Sequence, residues 1–166
     1  AWVDESVIET VASSVQLIIN ATTKGQSGLR TCPDGSVTCL EPYSSLAPAR
    51  PASFSAAMAA DGPRFFEAWF RASWPDVMGN LSRSARILSG IDSSVRIMDI
   101  VYSPLETSLL KQARLSGHKT LNGKGMNICQ AADALFHWVF REHFQEAGCY
   151  EPAQYRAIVD RMCSVW

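Results

Sequence analysis

The chain has 166 residues, with 15 Lys and Arg against 16 Asp and Glu, and this near-neutral balance leaves no electrostatic footprint for nucleic acid or an anionic membrane. No apolar run approaches the ~20 residues that span a bilayer, and Asp4 and Glu5 stand where a secretory leader carries basic residues. A soluble, cytoplasmic chain is expected, folding as one domain over residues 1–166 that buries about 70% of its unfolded surface.

In chain order, Asp4 caps a first helix whose apolar face is Ile8, Val11, Ala12 and Val15. Residues 15–20 follow as a short strand, apolar on both faces as in the interior of a parallel sheet. Residues 30–41 read as loop with room for a hairpin, and Cys32 and Cys39 flank the turn sequence Pro33-Asp34-Gly35, which lets them face each other across it as a structural or incidental pair. Five cysteines is an odd number, which argues against a secreted disulfide framework, and their spacing does not suit zinc. The asparagines of Asn20-Ala21-Thr22 and Asn80-Leu81-Ser82 match a glycosylation sequon by chance in a cytoplasmic chain.

A Pro/Ala/Ser-rich stretch, residues 42–57, leads into two helical patterns that together predict a helical hairpin. Asp61-Gly62-Pro63 opens the first, and Ser73-Trp74-Pro75-Asp76 opens the second, with Val77, Leu81, Ala85 and Leu88 along its face. Phe65, Phe66, Trp69, Phe70 and Trp74 suggest a binding platform, although aromatics at helical spacing are more often core.

Residues 95–102 have the composition of a buried parallel strand. Ser103 and Glu106 form a capping box with Pro104 at the first helical position, Leu105, Leu109, Leu110 and Ala113 make the stripe, and Gly117 closes the helix. Residues 119–122 are extended. Gly123-Lys124-Gly125 is a turn, and Ile128, Ala131, Ala132, Leu135 and Val139 line the next helix. Gly148 breaks the chain, and Pro152 starts a last helix with the stripe Tyr155, Ile158, Val159 and Met162.

The pattern D-x-V-Y-x-P-x-E-T-x-L-L is met by Asp99, Val101, Tyr102, Pro104, Glu106, Thr107, Leu109 and Leu110. A second, N-G-x-G-M-x-x-x-Q-A, is met by Asn122, Gly123, Gly125, Met126, Gln130 and Ala131, with Phe136 beyond it. Upstream, Asn20-Ala21-Thr22 with Gly25 gives N-A-T-x-x-G at a strand end. In this order the blocks resemble the C-terminal part of the NAD(P)-binding domain of shikimate dehydrogenases. The resemblance implies an α/β fold: a partial Rossmann-like, doubly wound parallel sheet of about three strands with helices, an inserted helical hairpin and a C-terminal helix. Asn20 and Tyr102 stand 82 positions apart, where the family crosses in a few tens, so residues about 30–94 are read as an insertion and about 148–166 as a helical extension.

The resemblance further implies that NADP or NAD binds in the complete protein, with Asn20, Ala21, Thr22, Val101, Gly123 and Met126 at the nicotinamide. Tyr102 and Gln130 would contact a cyclic hydroxy acid. Asn127 departs from the apolar residue usual in the family. No G-x-G-x-x-G occurs in the chain: Gly123 and Gly125 are followed by Ile128 where a third glycine belongs, so this turn is no pyrophosphate cradle. The family's phosphate loop, first βαβ unit and Lys–Asp proton-transfer pair would precede Ala1. No catalytic residue is therefore assigned, and the isolated chain is expected to be inactive.

The strand edge from Val15 to Ile19 would then be covered by that missing half, another polypeptide or a second copy. The alternative is a regulatory or ligand-binding module that keeps the cleft without the chemistry. His118, His137 and His143 form no metal-ligand set, and Ser44 and Ser45 lack a nucleophile context.

Overall fold

The computed structural model describes residues 7–165, and Asp4, the expected first cap, lies outside them. Cα packing divides the chain into two compact units, Ala1–Asn122 and Gly123–Trp166. The first unit runs α1 (Ile8–Val11), a 3-10 turn (Ala12–Ser14), β1 (Leu17–Asn20), β2 (Leu29–Thr31), β3 (Val37–Cys39), α2 (Ala56–Ala59), α3 (Gly62–Gly90), β4 (Arg96–Asp99), α4 (Ser108–Leu115) and β5 (Thr120–Leu121). The second runs α5 (Lys124–Asp133), a π-helical stretch (Ala134–Val139), α6 (Arg141–Glu146) and α7 (Pro152–Val165).

The fold is α/β, as the sequence implied. Its main sheet is parallel, in the order β1-β4-β5, with Asn20 opposite Asp99 and Ile97 opposite Thr120. Ile97 of the central strand packs with Leu88 of α3 and with Leu109, Leu110 and Ala113 of α4 to form one core. β1 is not buried on both faces as expected. Among the described residues it is an edge strand with one neighbour, so Leu17 (48% exposed) and Ile19 (52%) face outward while Ile18 packs against the core.

β2 and β3 form the predicted hairpin around Gly35, whose φ of +80° suits glycine. Cys32 and Cys39 do not face each other. Cys39 lies opposite Leu29, whereas Cys32 belongs to the turn, its N–H donating to the Ser36 carbonyl at 2.7 Å, and both thiols are free.

The expected helical hairpin is instead one continuous helix. α3 runs for 29 residues through Pro75, and Phe65, Trp69, Ser73, Val77, Asn80, Ser84, Ile87 and Leu88 form its buried stripe. Pro75 and Arg71 are both exposed, so water can take the carbonyl that proline leaves without a donor. The side chains that looked like a second cap serve the irregular segment 41–52. Ser73 Oγ accepts from Ala52 N at 2.9 Å, and an Asp76 carboxylate oxygen accepts from Arg50 N at 2.7 Å. Asn80 completes the anchorage: its Oδ1 accepts from Ser44 N at 2.9 Å, and its Nδ2 lies within 3.1 Å of the carbonyls of Ser44, Ala47 and Pro48. A second core surrounds Trp69, which meets Tyr43 edge-on and donates its indole N–H to Thr38 Oγ1 at 3.1 Å. The aromatic cluster is thereby split, with Phe65 and Trp69 fully buried and Phe66, Phe70 and Trp74 exposed.

Pro104 does not open a helix. The Ser103–Pro104 peptide is cis, Glu106 pairs with Arg114 at 2.8 Å, and Thr107 caps α4. Gly117 closes that helix at φ +87°, as expected. Next to it His118 is buried, with Nδ1 and Nε2 each 3.0 Å from a backbone carbonyl, of Val95 and Leu88 respectively.

In the second unit the residues expected to form a turn begin a helix: α5 starts at Lys124, with Gly123 as its N-cap residue. Phe136, on the π-helical stretch, stacks on Tyr150 at 4.7 Å and meets Tyr155 edge-on at 5.7 Å. The predicted stripe of α7 is half-buried along its length.

Candidate functional site

The two motif blocks of the first unit meet at one point. Asn20 ends β1 and Asp99 ends β4, opposite each other, and Asn20 Nδ2 donates to Asp99 Oδ1 at 2.9 Å. The same amide donates to the Lys24 carbonyl at 3.1 Å, while Asn20 Oδ1 accepts from Thr22 N and Thr22 Oγ1 at 2.9 and 2.7 Å. Asp99 Oδ1 also accepts from Val101 N at 3.0 Å, and Oδ2 accepts from Thr107 Oγ1 at 2.7 Å. The Thr107 hydroxyl in turn accepts from Leu110 N at 3.3 Å and so caps α4. Gly25 closes the knot at φ +89°. A Cβ there would stand 3.0 Å from Thr107 Cβ, so glycine is required by both conformation and space.

Asp99 is fully buried. Burial pushes its carboxyl above the usual range, opposed by the hydrogen bonds from Thr107, Val101 and Asn20, which favour the charged form. With donors on both oxygens and no exposure, it is a scaffold for the strand ends rather than a base open to a ligand. Sequence reading carried Asp99, Thr107 and Gly25 only as motif letters. Their fixed spacing was the available signal, but the pairing between blocks is a tertiary fact.

This knot leaves Ala21, Thr22 and Tyr102 exposed, with Val101 buried beside them. Asn20, Ala21 and Thr22 edge a hollow of about 340 Å³ that continues along the open side of β1 past Val15 and Ile19. In the second unit Gly123 is buried, its carbonyl accepting from Asn127 N at 2.9 Å. Met126 and Gln130 are one turn apart on α5, half-buried and exposed respectively, and a side chain at Gly125 would meet open space. The expected site residues thus form two groups, one in each unit. Among the described residues no cluster of His, Cys, Asp or Glu could hold a metal ion, and no helix is long and apolar enough to cross a membrane.

Among known proteins, the chain is 48% identical over 48 residues to a shikimate dehydrogenase (NADP(+)) of Methanosarcina mazei, covering 29% of this chain and 17% of that protein. The Bacillus subtilis enzyme of the same name is 43% identical over 67 residues, covering 40% of this chain and 21% of the relative. That of Shouchella clausii is 34% identical over 61 residues, covering 37% and 22%. Part of this chain is similar to shikimate dehydrogenases. The similarity spans only about a fifth of those dehydrogenases' length. No family model matches the chain, and no solved structure matches it. The shikimate-dehydrogenase likeness read from the motifs therefore stands on these partial matches together with the parallel sheet that joins the first two blocks.

Proposed function

We propose that this chain is the C-terminal part of an NADP-dependent oxidoreductase of the cytoplasm, in which a hydride passes between the nicotinamide and a cyclic hydroxy acid such as shikimate or quinate. The observation that carries the reading is the knot of Asn20, Asp99 and Thr107, which ties together residues of the two motif blocks at the C-terminal ends of adjacent parallel strands. Ligands of open α/β sheets bind at that end. The relatives' names favour NADP over NAD.

The residues present fit one end of such a cofactor. In the first unit Ala21 and Thr22 are small and exposed and Asn20 is held by Asp99; in the second unit, taken by itself, a side chain at Gly125 would meet open space. The cofactor would supply the hydride acceptor or donor. Tyr102 and Gln130 offer a hydroxyl and an amide to the substrate's hydroxyl groups. The 166 residues supply no diphosphate loop and no Lys–Asp pair matching the family's motif, so the reading makes the isolated chain inactive. The reading takes residues about 30–94 as an insertion relative to the family.

Intact mass of the native protein, taken from its own cells, is the first test. A mass well above 18.2 kDa is expected, and the longer form should oxidise shikimate or quinate with NADP. Losing one substrate hydrogen bond through Gln130→Ala should raise KM for the acid about tenfold. Turnover by the 166 residues alone would refute the inactivity. A longer form indifferent to both acids and to Gln130→Ala would refute the dehydrogenase reading.

A further inference from the structure

α3 carries a second stripe that its own core does not use. Phe66, Phe70, Trp74 and Met78 recur every four residues and are 41%, 45%, 51% and 44% exposed. They form one continuous i±4 ridge of large apolar side chains on a 29-residue helix. Beside the ridge lies a hollow of about 390 Å³, lined by Phe66 and Phe70 of the ridge together with Pro42, Pro104, Glu41 and Lys111. The next exposed row of the helix holds Glu67 and Arg71, paired with each other at 2.9 Å.

We propose that this face is an isologous interface, and that its occupant is α3 of a second copy of this chain. A ridge and a hollow on the same patch are what a two-fold contact needs, since each copy must supply both halves of the fit. A two-fold axis passing near Phe70 lays the helices antiparallel, Trp74 of each copy against Phe66 of the other. The i±4 ridges then interdigitate at about −50°, the commonest class of helix crossing. Each Trp74 enters the hollow beside the other copy's Phe66, where the Glu41 carboxylate can accept the indole N–H that burial would otherwise strand.

Charge supports the same orientation. Glu67 and Arg71 sit one turn apart near the axis, so the antiparallel arrangement brings each within reach of its opposite on the other copy, closing a four-charge ring at the rim. A parallel arrangement would set like against like. This interface is independent of the dehydrogenase reading, for it uses none of the residues assigned to the cofactor or substrate.

Sedimentation of the 166-residue chain at micromolar concentration tests it. A dimer of twice 18.2 kDa is expected, and a monomer overturns the proposal. Phe70→Glu buries a charge at the axis and should weaken the dimer about 30-fold or more, with the far-UV spectrum unchanged because Phe70 is half exposed. Ile19→Lys, on the open β1 edge, should leave the dimer intact. Dissociation by Ile19→Lys together with retention in Phe70→Glu would place the contact on the sheet edge and overturn the proposal. Glu67→Arg should weaken association about threefold to tenfold, and adding Arg71→Glu should restore it. Failure of the swap to restore it overturns the antiparallel pairing.

Discussion

Replacing Thr107 by Val keeps the branched side chain that packs on Gly25 and removes only the hydroxyl. Two interactions go with it. The 2.7 Å bond to Asp99 Oδ2 is buried, and leaving such an acceptor without its partner costs about 1–3 kcal/mol. The 3.3 Å bond from Leu110 N caps α4, and losing a cap of this kind costs about 1 kcal/mol. The sum is about 3 kcal/mol, a large part of the ~5–15 kcal/mol that holds a domain folded. At a urea m-value of about 2 kcal/mol/M the unfolding midpoint should fall by about 1.5 M. Fluorescence of the fully buried Trp69 reports the transition. Thr107→Ser, which keeps both hydrogen bonds and loses only the buried methyl, should cost about 1 kcal/mol. A Val variant unfolding together with wild type would refute the claim that this hydroxyl joins strand end to helix.

Gly25→Ala should destabilise the first unit by about 2 kcal/mol or more, since it combines a positive φ with a Cβ pressed on Thr107; a urea midpoint unchanged from wild type would refute this. Asn80→Ala leaves Ser44 N–H and three carbonyls without their side-chain partner and should cost about 2–3 kcal/mol, with Asn80→Asp at least as costly because an acceptor would then face three acceptors; calorimetry compares them. For Asp99 the sign follows from burial. Its folded pKa lies above the unfolded value, so the native state binds its proton more tightly, and the associated stability is present below the unfolded value and lost as pH rises through the folded one. The midpoint of wild type minus that of Asp99→Asn should therefore fall as pH rises above the unfolded value of about 4. A difference that grows with pH would refute the direction.

Much of the architecture was legible because it rests on local pattern. The apolar runs marked the parallel strands, Pro33-Asp34-Gly35 marked the hairpin, Gly117 marked a helix end, and the stripe of α7 was read residue for residue. Misreadings arose where a polar side chain had two possible customers. Ser73 and Asp76 look like a helix start, yet they bind Ala52 and Arg50, and the buried stripe carries α3 through Pro75. Ser103 and Glu106 look like a capping box, yet Thr107 is the cap and Glu106 pairs with Arg114. Cys32 and Cys39 show the limit of spacing alone, since the register that separates them is set by where the strands pair. Of the candidate site, the motif residues at the ends of β1 and β4 could be named from sequence, but not the knot that fixes them. Nothing in the local pattern predicted the π-helical stretch that carries Phe136.

The anchorage of segment 41–52 has a consequence for the order in which the chain assembles. This segment has no regular hydrogen-bond ladder; Thr38, Lys24 and Ser108 each meet one of its carbonyls, but the amides of Ser44, Arg50 and Ala52 and the carbonyls of Ser44, Ala47 and Pro48 are met by Asn80, Asp76 and Ser73, whose side chains stand in line only once α3 is wound. Asn80 reaches back 36 positions to Ser44, so the closure is nonlocal, whereas the helix forms from local contacts. α3 is thus a template that must exist before the segment can settle. Substitutions in the segment should speed unfolding and leave the folding rate nearly untouched, while helix-breaking changes in α3 should slow folding itself.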